Sequence, residues 1–200
     1  MTTQTVRPRG RRPGNDDTRG TIARSALELF DAQGYDATSL RAIARHAQVD
    51  PALVHHYYSS KAQLLANVLL DSDLELGPMV DTMVAGDRSG VGLRVARACF
   101  AAWEHPIHHE SLLSFLRPEH SGRERHRLLG EFLACEVFAR VSSALGHRDA
   151  TLRGQLAATS FLGLLSARHV LQFGALASTS LRRLTHPTAA VLQVYLAEDW

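Results

Sequence analysis

The stretch TSLRAIARHAQVDPALVHHYYSSK, residues 38–61, decides the fold, because it predicts two short helices joined by a tight turn. Thr38 or Ser39 can cap the first helix by accepting a hydrogen bond from a backbone N–H that has no partner within the helix. Asp50 is a strong cap for the second helix, and Pro51 suits a first helical position, where a missing N–H costs nothing. This is the outline of a helix-turn-helix.

The second of these helices has an unusual outer face. Val54 and Tyr58 are four residues apart and can both turn inward, which leaves two imidazoles and a phenol facing water within one turn. Such groups suit hydrogen bonding to the base edges and phosphates of DNA. The residues predicted on or near the outer face are Ala52, Leu53, His55, His56 and Tyr57.

The run from Ile22 to Leu65 resembles the N-terminal DNA-binding domain of the TetR/AcrR family of bacterial transcriptional regulators. The resemblance rests on features at fixed spacing. These are an apolar first helix ending in Phe30 and Gly34, Thr38-Ser39 ahead of Ile43-Ala44, the Val49-Asp50 turn, the aromatic second helix, and Lys61 just beyond it.

Two local features depart from the family's pattern. Gln48 stands where a glycine commonly precedes the turn valine. The second helix reads His55, His56, Tyr57, Tyr58 where the family commonly has two tyrosines, a histidine and a phenylalanine. The fold is implied unchanged, whereas the base-reading groups, and with them the DNA sequence recognised, differ.

The resemblance implies an all-α regulator that binds double-stranded DNA at a near-palindromic operator as a homodimer, most often as a repressor. It implies no enzymatic activity and no cofactor. A small-molecule effector in the C-terminal domain would shift the helix that begins at Lys61 and change the spacing of the two recognition helices. Base edges or adjacent sugars would be contacted by Arg41, Pro51, Ala52, His55 and His56, and phosphates by Thr38, Ser39, Tyr57 and Lys61.

Lys61 is the only lysine in the sequence. Ser60 to Gln63 has the form of a capping box, which predicts that a fourth helix starts there and runs until Gly77-Pro78. A positive side chain is unfavourable at a helix start, so a phosphate partner would explain it. The alternative is a freely solvated lysine.

The positive charge of the chain lies at its N-terminus. Residues 1–66 hold nine Arg or Lys against six acidic residues, whereas residues 67–200 hold thirteen against fourteen. We expect a basic arm over residues 1–16 that follows phosphates or enters a minor groove, the alternative being a solvated tail. The helix-turn-helix domain would span residues 17–66, and an effector-binding and dimerisation domain residues 67–200. The arm's arginines are Arg7, Arg9, Arg11 and Arg12.

Composition limits the remaining possibilities. Two hundred residues with 45% apolar content can bury a substantial core. The sequence contains no apolar run of membrane-spanning length and no apolar segment behind the basic N-terminus, so we expect neither a membrane span nor a signal peptide, and a cytoplasmic protein. Cys99 and Cys135 lie in helical apolar patterns and are predicted to be buried free thiols.

Beyond Pro78 the pattern is helical throughout, which gives about nine helices in all. A short extra turn is predicted at 79–84. The longer helices are predicted at 91–103, 107–117, 123–145, 151–173 and 187–198.

The helix predicted at 151–173 is apolar nearly all round, so it must be covered on more than one side. A second copy contributing the same helix and the last one would complete a four-helix bundle, while the alternative is a core helix of a monomer. The predicted dimer residues are Leu156, Ser160, Gly163, Leu164, Ala167, Val170, Leu171, Val191, Leu192, Val194 and Tyr195.

Large apolar residues of the middle helices can either line an effector cavity or fill the core, and a ligand for such a cavity would be largely apolar. Arg168, in an apolar stretch, would pair with a carboxylate across the dimer or await an anionic ligand. The predicted cavity residues are Met79, Met83, Phe100, Trp103, Leu112, Phe115, Phe132, Phe138 and Phe161.

His105, His108 and His109 with Glu110 suggest a metal site, but Pro106 interrupts them, and we expect loop imidazoles and no bound metal. No phosphate loop, nucleophile elbow or paired-carboxylate motif occurs. Two other functions remain open: an architectural or non-specific DNA-binding protein, and a helical ligand carrier or enzyme with an incidental helix-turn-helix.

Overall fold

The computed structural model describes residues 15–70, 75–116 and 123–200, which form helices and no strands. Eleven helices are present in these ranges, close to the nine predicted. α8 has three consecutive parts: Arg123–Glu131, a π-helical segment Phe132–Phe138, and Ala139–Ala144. The others are α1 Asn15–Gln33, α2 Leu40–His46, α3 Pro51–Tyr57, α4 Lys61–Leu70, α5 Leu76–Val84, α6 Val91–Glu104, α7 Pro106–Leu116, α9 Ala150–His169, α10 Gly174–Ser178 and α11 Leu181–Ala197.

The first four helices share one core. Ile22 and Phe30 of α1, Ile43 of α2, Val54 of α3 and Leu65 of α4 have no exposed surface. These are positions that the three- and four-residue spacing of the sequence places on inner faces. The helix-turn-helix therefore rests on α1 and α4, with the outer faces of α2 and α3 turned to solvent.

The predicted stop at Gly77-Pro78 is wrong. α4 ends at Leu70 among the described residues, and Gly77 and Pro78 lie in the first turn of α5. Proline is tolerated there because the first N–H groups of a helix have no intrahelical partner. A Gly-Pro pair can therefore open a helix as well as close one.

The last helix begins earlier than predicted, at Leu181 rather than Pro187. Ser180 caps it by accepting a hydrogen bond from the Arg183 N–H at 3.4 Å, and Pro187 stands inside the helix. α11 packs along α6, where an added Cβ on Gly92 would collide with the Ala189 carbonyl and stand 2.7 Å from the Gln193 N. A proline in a helix interior costs about 3 kcal/mol, and the close packing of α11 against α6 offsets this cost.

The C-terminal helices continue the same core between α5, α6, α8, α9 and α11. The sequence predicts one uninterrupted helix over 123–145, but the turn at Phe132–Phe138 is π-helical. α9 ends at His169, short of the predicted Phe173. Within the described ranges no helix combines the length and the hydropathy needed to cross a bilayer.

Candidate nucleic-acid interface and apolar cavity

The turn between α2 and α3 is fixed by backbone hydrogen bonds. The Val49 N–H donates to the Ala44 carbonyl at 3.0 Å and the Gln48 N–H to the Arg45 carbonyl at 3.2 Å, the pattern of a Schellman motif. Gln48 has a φ of 55°. The left-handed backbone explains why the family commonly has glycine at this position, since glycine adopts it without steric cost.

α3 begins as predicted. Asp50 has an extended backbone, its Oδ1 accepts a hydrogen bond from the Ala52 N–H at 2.7 Å, and Pro51 is the first helical residue. Because both ends of the turn are specified by local bonds, α3 is held at a defined angle to α2. Val54 and Tyr58 anchor it inward, and the Tyr58 hydroxyl donates to Asn67 Oδ1 of α4 at 3.1 Å.

The outer face of α3 carries the predicted groups. Pro51, Ala52, Leu53, His55 and His56 are exposed, and Leu53 is a large apolar side chain at 40% exposure. Tyr57 is half-buried, with its ring 5.1 Å from that of His56 in an edge-on arrangement. A capped helix presenting imidazoles and small groups has the shape and donors to enter a major groove. DNA contact by these residues stays a prediction.

The predicted phosphate-side residues differ from one another in the structure. Ser39 is exposed and caps α2 by accepting from the Ala42 N–H at 3.1 Å, and Arg41 is exposed beside it. Thr38 is only 2% exposed, and its hydroxyl donates to the Gly34 carbonyl at 2.7 Å and accepts from Gln33 Nε2 at 3.1 Å. The side chain of Thr38 therefore holds the α1–α2 corner, so its predicted phosphate contact is not supported in this geometry.

Lys61 has an internal partner that the sequence did not indicate. Its Nζ donates to the Tyr35 carbonyl at 2.8 Å and lies 4.1 Å from the centroid of the Tyr35 ring. The alternative of a freely solvated lysine is wrong. A phosphate contact stays a prediction and would compete with the contact to Tyr35. Arg7, Arg9, Arg11 and Arg12 of the predicted arm lie outside the described residues.

An apolar cavity lies between the C-terminal helices. The cavity has a volume of about 50 Å³. The cavity is therefore narrow as it stands. Six of the nine predicted cavity residues line it: Met79, Met83, Trp103, Leu112, Phe132 and Phe161.

The other three predicted cavity residues belong to the core. Phe100 and Phe138 pack on Phe161, with ring centroids 5.4 Å and 6.2 Å away, and Phe115 is buried away from the cavity. Helical spacing identifies large inward residues but not which of them border a gap. The lining residues that the sequence analysis missed include Leu70, Ala98, Cys99, Leu129, Leu133 and Val137.

The cavity wall offers almost no polar chemistry. Burial raises the pKa of the Cys99 thiol to about 12, so the thiol is protonated at neutral pH. The Trp103 Nε1–H already donates to His169 Nε2 at 3.2 Å. Cys135, predicted to be buried, is exposed on α8, so that prediction is wrong; no disulfide joins the two thiols. The cavity suits an uncharged, apolar molecule.

The predicted dimer face is partly open on the subunit. Gly163, Leu171, Val191 and Val194 are exposed, and Leu171 reaches 62% exposure. Leu192 has no exposed surface and belongs to the subunit's own core, so it makes no direct part of such a face. The half-buried members are Leu156, Ser160, Leu164, Ala167, Val170 and Tyr195.

The histidines near Pro106 contact each other and the backbone. His105 and His108 stack with ring centroids 4.2 Å apart, and His109 Nδ1 contacts the Trp103 carbonyl oxygen at 3.0 Å. Across the described ranges no three His, Cys, Asp or Glu side chains converge on a point where a metal ion fits. Arg168 donates to the carbonyls of Leu176 and Thr179, and its predicted ion pair across a dimer stays a prediction.

A capped helix-turn-helix on a helical domain with an apolar cavity is typical of a transcriptional regulator. Comparison with known sequences gives the family. Residues 22–68 match the bacterial regulatory proteins of the tetR family, and residues 89–196 match the tetracyclin repressor-like C-terminal domain. The chain belongs to the TetR family.

Individual relatives agree with this assignment. A TetR-family regulator from Streptomyces coelicolor has a solved structure that is 30% identical, with a TM-score of 0.50 over 94% of this chain and 99% of that one. The regulator HbdR of Aromatoleum is 30% identical over 45% of this chain and 38% of its own length. BetI of Rhizobium meliloti is 40% identical over 34% of this chain and 32% of its own. The matched part spans less than two fifths of these curated relatives.

Proposed function

We propose that the protein represses transcription by binding a near-palindromic operator as a homodimer, and that an uncharged apolar molecule in the cavity releases it. The exposed imidazole face of α3 carries the proposal, because a rigidly capped helix that turns two histidines to solvent is suited to reading base edges. The predicted domain boundary between residues 66 and 67 falls within α4, so this helix connects the helix-turn-helix to the effector-binding part. Leu70, its last residue, lines the cavity.

DNA selected from random duplexes with the full-length protein tests base reading. We expect an inverted repeat whose two halves are about one helical turn apart, because each half meets one α3 of a twofold dimer. His55→Ala should weaken binding to the selected duplex about tenfold or more, since a good base contact contributes about 1–3 kcal/mol of discrimination, and should leave random-duplex binding unchanged.

The matched control is His186→Ala, which removes an exposed imidazole of α11, outside the helix-turn-helix. It should bind as the wild type does. Random duplex that competes as well as the selected one would instead indicate the architectural alternative, and Lys/Arg contacts alone would then explain binding. Removal of residues 1–14 tests the arm: affinity and its salt dependence should both fall.

The homodimer is proposed because Leu171, Val191 and Val194 expose apolar surface on the α9–α11 side. A second copy covering this side would remove it from water. Val194→Glu should yield monomers in sedimentation at micromolar concentration. The control is Leu152→Glu, at an exposed apolar position near the start of α9, which should remain a dimer. A stable wild-type monomer would contradict the dimer.

The apolar cavity sets the effector class. Toluene should raise the melting temperature of the wild-type protein by mass action, and benzoate, which carries a charge, should not. Cys99→Leu narrows the cavity from one wall and should reduce the toluene effect. Equal stabilisation by the two probes would argue against an uncharged ligand.

A further inference from the structure

Tyr35, in the turn between α1 and α2, is tied to the first residue of α4. Its ring is buried, with the ring centroid 5.4 Å from that of Phe30. Lys61 Nζ both donates to the Tyr35 carbonyl and lies over the ring. Thr38, three residues further on, fixes the same corner by its bond to Gly34. A displacement of Tyr35 therefore acts on the helix-turn-helix at the α1–α2 corner before it and at the start of α4 after it.

The Tyr35 hydroxyl crosses to the C-terminal half of the molecule. It donates to Glu136 Oε1 of α8 at 2.7 Å, while Glu136 Oε2 accepts from Arg140 at 2.5 Å. The Glu136 side chain is 13% exposed and both of its oxygens are engaged. Burial and the bond to Glu136 raise the pKa of Tyr35 above its ordinary value, so the phenol remains a donor. A bond to a charged, largely buried acceptor is stronger than a neutral one.

Glu136 belongs to the π-helical segment Phe132–Phe138, which also forms part of the cavity wall. Phe132, Leu133 and Val137 of this segment line the cavity. A π-helical turn holds one residue more than an α-helical turn and often occurs at functional sites. The same short segment thus faces the cavity on one side and bonds to the helix-turn-helix on the other.

We propose that the Tyr35–Glu136 hydrogen bond carries cavity occupancy to the α1–α2 corner, as a second connection beside the direct contact of Leu70 in α4. The inference rests on the ligand response proposed above. A molecule entering so narrow a cavity must displace part of its wall, and closely packed interiors pass such displacements on. Glu136 moves with its neighbours in the segment, and Tyr35 follows through the bond.

Amide hydrogen exchange of the full-length protein tests this connection without DNA. Cys99→Leu enlarges a cavity-lining side chain and substitutes for occupancy. In an otherwise wild-type chain it should change exchange at residues 35–42 and 64–70. With Tyr35→Phe, which keeps the ring and the carbonyl, the change at residues 35–42 should fall at least about threefold, the effect expected of one hydrogen bond. The change at residues 64–70 should persist, because Leu70 still touches the cavity.

Three variants distinguish loss of the Tyr35–Glu136 hydrogen bond from a general loosening of the structure. Tyr58→Phe removes a phenolic bond to Asn67 that does not involve α8, and should leave the response intact. Glu136→Gln keeps an acceptor oxygen for Tyr35 and should retain most of the response, whereas Glu136→Ala should lose it. An equal response at residues 35–42 in wild-type and Tyr35→Phe backgrounds would overturn the proposal.

A second change in the cavity wall serves if the Cys99→Leu variant does not fold. Val137→Ala enlarges the cavity from the π-helical segment itself. If neither change alters exchange at residues 35–42 in the wild-type chain, the connection does not exist. If the protein selects no DNA sequence from random duplexes, the proposed function is refuted. The exchange results can still be interpreted in that case, because they are measured without DNA.

Discussion

The helix-turn-helix and the C-terminal helices are specified in different ways. In the first, each boundary has a local cause: Ser39 and Asp50 cap their helices, and Gln48 closes α2 through bonds within six residues. In the second, boundaries follow packing between distant segments, so Pro187 stands inside a helix and a π-helical turn interrupts α8. The helix boundaries in the part that faces DNA therefore depend mainly on neighbouring residues, while those in the part that encloses the cavity depend on close contacts between distant segments.

The largest effect is expected where two C-terminal helices touch backbone to backbone. Gly154 of α9 lies against the π-helical segment, and an added Cβ would collide with the Ala134 carbonyl and stand 2.7 Å from the Ala139 N. Gly154→Ala should lower the free energy of unfolding in urea by about 3 kcal/mol or more, because neither backbone can yield without opening the core.

The counterpart in the other half is Gly20→Ala in α1. An added Cβ there meets nothing within 4 Å. This variant should raise the free energy of unfolding by about 0.5–1 kcal/mol, the difference in helix propensity between glycine and alanine. Similar changes in the free energy of unfolding at Gly154 and Gly20 would contradict the view that local bonds specify the first half and packing specifies the second.

The same distinction explains what the sequence could predict. The start of α3 and the exposure of His55 and His56 follow from Asp50-Pro51 and from helical spacing, all within a few residues. The bond from Lys61 to the Tyr35 carbonyl joins positions 26 residues apart, and no spacing rule connects them. The sequence likewise named large inward side chains without showing which of them border a gap, because a cavity is a property of packing rather than of any one helix.

A smaller effect is expected from pH. His108 is half-buried, its Nδ1 has no hydrogen-bond partner, and it stacks on His105. Burial, and then the charge of His105, lower the pKa of His108 below its ordinary value. The unfolded chain therefore binds its proton more tightly, so stability is complete above about pH 6.5 and is lost as pH falls through the lower folded-state pKa.

Urea unfolding at pH 7.5 and pH 5.5 measures this loss. His108→Gln should show a smaller decrease than the wild type, because its side chain does not titrate. His186→Gln, at an exposed position on α11, should behave as the wild type. If all three chains lose the same stability, His108 does not contribute to the pH dependence.

The smallest effect distinguishes backbone strain from packing. Gln48, between α2 and α3, and Gln172, after α9, have φ values of 55° and 53°, and both are exposed. A left-handed backbone costs a residue with a Cβ roughly 1–2 kcal/mol, and glycine's greater flexibility in the unfolded chain offsets part of the gain, so each glycine variant should stabilise by about 0.5–1 kcal/mol. Because the strain is local at both sites, Gln48→Gly and Gln172→Gly should give similar increases in urea unfolding despite lying in the two differently specified halves. A stabilisation at Gln48 without one at Gln172 would mean that the C-terminal packing, rather than the residue's own φ, sets the cost of that turn.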